Sequence, residues 1–116
     1  IGEREYVDGG LVSPVPVKQA REMGANFVIA VDISSDPEGS QTGDTFQILM
    51  QTFTIMGKSI NTLTLREAEF VVRPSLTGVK SADFGARRRS IEAGRSAMLA
   101  MLPQLKTRIA AFERGE

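Results

Sequence analysis

Phe27-Val28-Ile29-Ala30-Val31, closed by Asp32-Ile33, constrains the fold more than any other stretch of the chain. The run is continuously apolar and rich in β-branched residues. Its length and composition predict a strand buried on both faces, as in a parallel sheet. Such a strand needs neighbours on both sides, and the rest of the chain offers few of them.

The remaining elements alternate around that strand. Tyr6-Val7 ends a short strand, and Asp8-Gly9-Gly10 turns the chain sharply. Leu11 to Pro16 is extended, because a residue before proline is steered away from the helical region. Pro16 suits the first turn of a short helix from about Pro16 to Met23, and Gly24 suits its cap. Ser34 to Gly43 reads as a polar loop. Asp44 with Gln47 resembles a capping box, and Phe46, Leu49, Met50, Phe53, Met56, Ile60 and Leu63 recur at spacings of three and four. A helix is therefore predicted to about Arg66. Phe70-Val71-Val72-Arg73 forms a short strand stopped by Pro74. After Asp83, one helical face carries Phe84, Ile91, Met98, Leu102, Leu105, Ile109 and Phe112. Pro103 should kink or break that helix, and Gly115 can end it. Strand and helix in alternation define an α/β fold with a mainly parallel sheet.

Composition narrows the function classes. The 116 residues are 41% hydrophobic and 24% charged, which suits one domain or part of a larger one. Fourteen basic residues balance fourteen acidic ones, so no nucleic-acid partner is expected. Without cysteine there are no disulfides or thiolate metal sites. Without histidine the chain cannot supply a Ser-His-Asp triad, so a carboxylate must act as base in any hydrolysis. No tight acidic cluster suggests a metal, and no cofactor is expected. No apolar run approaches the roughly 20 residues that a membrane-spanning helix needs. The charged opening, Ile1 to Tyr6, resembles neither a translation start nor a signal peptide, and reads as part of something longer.

Asp8-Gly9-Gly10 alone is a common turn. Its continuation is more specific: Tyr6-Val7-Asp8-Gly9-Gly10-Leu11-Val12-Ser13-Pro14-Val15-Pro16-Val17 leads into Ala20-Arg21-Glu22-Met23-Gly24-Ala25-Asn26 and the Phe27 to Asp32 strand. From about Tyr6 to Ile33 the chain resembles the patatin-like phospholipases, in the bacterial branch related to neuropathy target esterase. The resemblance implies that residues 1–116 are the C-terminal portion of one patatin-like domain with a three-layer fold. It also implies a lipid or ester substrate cleaved by a Ser-Asp dyad, and a place in the cytoplasm or peripheral to the inner membrane. Asp8 would take the proton from the serine hydroxyl and later activate water. Gly9 and Gly10 would form the positioning turn, using glycine's tolerance of positive φ. A carboxylate with a reference pKa of roughly 3.9 is a poor base, so partial burial should raise it.

Two parts of that machinery are missing. No Gly-x-Ser-x-Gly elbow occurs in the chain. Gly57-Lys58-Ser59-Ile60-Asn61 and Gly94-Arg95-Ser96-Ala97-Met98 lack the last glycine and fall inside predicted helices. The glycine-rich oxyanion segment is also missing. In the family both precede the aspartate, so the implied partner is an upstream segment or chain carrying them.

Other features read more simply. Asp32 reads as a loop anchor rather than a ribose ligand, since no G-x-G-x-x-G precedes it. Arg87-Arg88-Arg89 reads as a solvated face, with lipid headgroups the lesser option at roughly 1 kcal/mol per residue. Met50, Phe53 and Met56 read as core packing first and acyl-pocket lining second. Two rivals to the hydrolase stand: a non-catalytic interaction domain, and a small nucleotide-binding α/β domain using Asp32.

Overall fold

The computed structural model describes residues 2–34, 45–79 and 83–116. Its elements follow in the order α1 (Val17–Glu22), β1 (Ile29–Val31), α2 (Thr45–Leu65), β2 (Phe70–Val72) and α3 (Arg87–Glu113). The two strands pair in parallel, Ile29 opposite Phe70, Ala30 opposite Val71 and Val31 opposite Val72. Helices and a small parallel sheet thus make a small α/β fold.

Local chemistry sets the element ends. α1 begins directly after Pro16, whose fixed φ of −83° pre-sets the turn. It stops at Met23 because Gly24 takes φ +103°, a conformation that side-chain-bearing residues rarely adopt. Asp83 caps a 3-10 turn, Phe84–Ala86, by accepting from the Ala86 N–H at 3.1 Å, and α3 continues from it. Gly115, at φ +78°, follows the end of α3.

Two apolar clusters hold the sheet, one on each face. On one face Val28 and Ala30 meet Val17 of α1 and Leu65 of α2. On the other, Phe70 and Val72 meet Leu105 of α3, with Met98, Leu102 and Ile109 alongside. The Phe27 and Phe112 rings join that cluster edge to face, 5.4 Å apart. Val72 is 1% exposed, and full burial of a valine contributes roughly 1.5–3 kcal/mol.

A polar clamp closes the entry to the sheet. Glu69 pairs with Arg21 of α1 and accepts from the Val28 N–H at 2.6 Å. Arg21 also reaches the Glu67 carbonyl at 2.7 Å, and Arg108 of α3 reaches the Glu69 carbonyl at 2.8 Å. Burial pushes the Glu69 carboxyl up, but the Arg21 guanidinium and the Val28 amide outweigh it, so its pKa lies below the ordinary value.

Several expectations need correction. Tyr6 and Val7 are exposed irregular backbone rather than a strand, so the sheet has two strands among the described residues. The strand predicted from Phe27 to Ile33 is limited to Ile29–Val31, and only one face of it is buried. Ile29 is 41% and Val31 50% exposed, because α3 lies over β2 and no described element covers β1 on that side. β2 ends at Val72, before Arg73. Leu11 belongs to a 3-10 turn, Gly9–Leu11, rather than to extended chain. On α2 the predicted core stripe, including Phe46, Leu49, Met50, Phe53 and Met56, is exposed, and the buried positions are Asn61 and Leu65. α3 runs unbroken through Pro103, and its amino-terminal Ile91 is exposed because no described strand lies beneath it. The Asp44 cap and most of the Ser34 to Gly43 loop lie outside the described residues.

The radius of gyration is 17.0 Å, against roughly 13 Å for a compact chain of about this length. The excess follows from helices that extend beyond the small sheet.

Candidate active site

Asp8 is fixed by its own turn. It caps the 3-10 turn Gly9–Leu11, with Oδ1 accepting from the Gly10 N–H at 2.8 Å. Its carbonyl accepts from Leu11 N–H at 3.2 Å, and Ser13 N–H donates to the Gly9 carbonyl at 2.8 Å. Farther along, the Ser13 hydroxyl donates to Gln19 of α1 at 3.1 Å, tying the turn to the folded body. Asp8 Oδ2 has no partner among the described residues.

The positioning glycines work differently from the expectation. Neither Gly9 nor Gly10 has positive φ. A Cβ on Gly10 would instead lie 3.2 Å from Asp8 Oδ1, a tight contact to which the carboxylate must yield by a few tenths of an ångström, whereas one on Gly9 meets nothing within 4 Å. A 3-10 turn uses right-handed backbone, so the constraint comes from the carboxylate and not from the dihedral.

Beside this turn runs a cavity of about 930 Å³. Asp8, Gly10 and Pro14 line one side and Thr54, Gly57 and Asn61 of α2 another, while β1 forms its length. Val28 O accepts from Phe70 N–H at 3.3 Å and Asp32 N–H donates to Val72 O at 2.8 Å, so the even-numbered residues of this strand face β2. Ile29 and Val31 therefore turn their backbone N–H and C=O away from β2, along the edge that no described strand covers. Asp8 is exposed, so the described residues do not supply the partial burial expected of its carboxylate. Met50, Phe53 and Met56 do not line this cavity.

Asn61 was missed from sequence. It is 6% exposed, borders the cavity, and its Oδ1 has no hydrogen-bond partner. Buried polar groups are nearly always paired, which makes this one informative. The available signal was its position four residues before Leu65, on the same face of α2.

A second crevice of about 470 Å³ opens beside Asp32 and Arg73, which directly follow β1 and β2. Asp32 Oδ1 accepts from the Ser34 amide at 3.0 Å and hydroxyl at 2.6 Å, and Oδ2 accepts from Arg73 Nε at 3.2 Å. Burial pushes its carboxyl up, but the Ser34 bonds and the Arg73 guanidinium prevail and hold it below the ordinary value. Asp32 thus anchors a loop and leaves little acceptor capacity for a ribose.

Ser59 and Ser96 lie within α2 and α3, and the Ser59 hydroxyl bonds back to the Ile55 carbonyl at 3.1 Å. Neither sits on a strand-to-helix turn. Among the described residues no group of three or more Asp or Glu is placed to hold a metal, and no helix is long and apolar enough to cross a membrane. No protein-family model matches the chain.

Proposed function

We propose that this chain is the aspartate-bearing part of a serine acyl hydrolase that cleaves carboxylic esters of lipids, built on a patatin-like three-layer fold. One observation carries the reading: Asp8 borders a largely apolar cavity beside the open edge of β1, with one carboxylate oxygen held by Gly10 and the other uncommitted. A hydroxyl entering that cavity meets a fixed acceptor. In this mechanism Asp8 takes the serine proton as Oγ attacks the ester carbonyl. The proton then passes to the leaving alcohol, and Asp8 draws a proton from water to release the acyl group.

The nucleophile and the oxyanion donors come from an upstream segment or chain. The open edge of β1 suits such a segment, since its free N–H and C=O groups pair with an added strand. Packing of that segment over the Asp8 turn also provides the burial that a carboxylate base requires. Membrane contact, the lesser part of the proposal, is peripheral and goes through the exposed Arg87, Arg88 and Arg89.

Ester turnover tests the reading. The full-length protein is expected to hydrolyse a p-nitrophenyl ester, and Asp8→Asn to slow it by about 100- to 10,000-fold. The isolated 116-residue chain should give no turnover, because each missing oxyanion donor alone costs roughly 3–4 kcal/mol. Active-site-dependent hydrolysis by the isolated chain rules the proposal out.

The exposed apolar surface of α2 and β1 favours one other reading, a non-catalytic interaction domain on the same scaffold. In that case Asp8→Asn changes nothing but the local turn. The nucleotide-binding alternative is disfavoured by the engagement of Asp32 with Ser34 and Arg73.

A further inference from the structure

The apolar stripe of α3 does not stop where its contact with the sheet does. Arg108 reaches the Glu69 carbonyl and the Phe112 ring meets Phe27, both at the amino ends of the strands. α3 therefore runs antiparallel to the sheet, with Met98 among the residues packed beside β2. The turns from Met98 back to Arg87 extend about 16 Å beyond that contact. On this projecting part the stripe continues as Ile91, 65% exposed, and as Phe84, 87% exposed, in the turn before the helix.

The neighbours of these two residues differ from those of the packed stripe. Three and four positions from Leu105 stand Met101, Leu102, Arg108 and Ile109, whereas Ile91 is flanked by Arg87, Arg88, Gly94 and Arg95. Phe84 precedes Arg87 and Arg88 by the same intervals. Arg87 and Arg88 are exposed and make no hydrogen bond or ion pair among the described residues. Arg89 reaches the Thr77 carbonyl at 3.4 Å, and residues 74–79 carry no charge. Two acids stand against the four arginines: Glu92 pairs with Arg95 at 3.6 Å, and Asp83 caps the preceding turn. The balance is positive, and the start of α3 adds roughly half an elementary charge of the same sign. Arginines in a first turn oppose the helix dipole, so helix stability does not account for them.

Covering Ile91 and Phe84 with protein would take these guanidiniums out of water without partners, which is costly. A lipid surface has a place for both kinds of side chain: apolar groups enter the acyl boundary while arginines stay at the level of the phosphates. A projecting helix end is also convex, a shape that meets a plane and offers no groove to a peptide. We infer that the first turns of α3 dock on an anionic lipid surface, with Arg87 and Arg88 on the phosphates and Phe84 and Ile91 inserted beside them. The inference rests on the peripheral membrane contact within the proposed function and on none of the chemistry assigned to Asp8.

Sedimentation of the full-length protein with vesicles tests it, using an equimolar mixture of phosphatidylglycerol and phosphatidylcholine against phosphatidylcholine alone. Binding to the anionic vesicles only is expected, weakening as salt rises. The double variant Arg87→Gln, Arg88→Gln should bind roughly 30-fold more weakly. It should melt no lower than the parent, since it removes charges that oppose the helix dipole. Phe84→Ala should weaken binding on the order of tenfold and leave the salt dependence unchanged. Arg114→Gln, at the far end of α3 where it pairs with Glu116, should change nothing. Asp8→Asn should bind vesicles like the parent, so a failure of docking and a failure of the hydrolase reading are told apart. No vesicle binding, equal binding to both lipid compositions, or binding indifferent to the arginine and Phe84 variants overturns the inference. Capture of a polyglutamate peptide that needs Arg87 and Arg88, without vesicle binding, also overturns it and assigns the patch to an acidic protein.

Discussion

At Asp8 and Gly10 the backbone and a carboxylate approach closely enough that a methyl group on Gly10 would press on the carboxylate. A Cβ on Gly10 would stand 3.2 Å from Asp8 Oδ1, and one on Gly9 would stand in open space. Gly10→Ala should therefore cut ester turnover by up to about 100-fold through displacement of the base. Gly9→Ala should be nearly silent, and both variants should melt near the parent temperature. Equal losses in both would mean that Gly10 does not position the carboxylate. Glu69 makes the opposite kind of contribution, to stability alone. Its folded pKa lies below the ordinary 4.5, so the stability it adds is fully present above that value. That stability is lost as pH falls from about 4.5 through the lower folded pKa. Glu69→Gln should cost about 1–3 kcal/mol at neutral pH and flatten the acid limb of a denaturation-against-pH curve. An unchanged acid limb would contradict the clamp.

Among the elements, α3 departs most instructively from its sequence. Pro103 lacks the N–H that would bond the Leu99 carbonyl, yet the helix continues on both sides. Leu99 and Pro103 are exposed, so the freed carbonyl can be hydrated. Pro103→Ala should restore the missing bond and raise stability by roughly 1–3 kcal/mol, measured by urea denaturation. A lower midpoint would show that the proline instead shapes how α3 meets β2. Element type and order were legible from periodicity in Phe70 to Val72 and in the Met98 to Ile109 stripe, where a helix packs directly on a strand. Periodicity misled at Phe46 to Met56. There the apolar spacing reports a surface made for burial, while the described residues offer nothing to bury it against. The 3-10 turn at Gly9–Leu11 was illegible because Asp-Gly-Gly suits many turns, and only the Asp8 cap selects this one.

On the scale of the whole molecule, helices cover a two-stranded parallel sheet unevenly. α3 shields β2, while Ile29 and Val31 of β1 stay largely open beside the Asp8 cavity. That asymmetry leaves the outer edge of β1 open to pairing with a further strand. The catalytic role proposed for Asp8 rests on resemblance, but the sharp turn at Asp8 was legible from Asp-Gly-Gly. Asn61 was not, since a single buried amide leaves no pattern in a sequence. The most direct measurement is the rate at which a fluorophosphonate labels the full-length protein. The account predicts labelling of one serine located outside residues 1–116, slowed at least about 100-fold by Asp8→Asn without loss of fold. Labelling at an undiminished rate in Asp8→Asn, or no labelled serine at all, would contradict it.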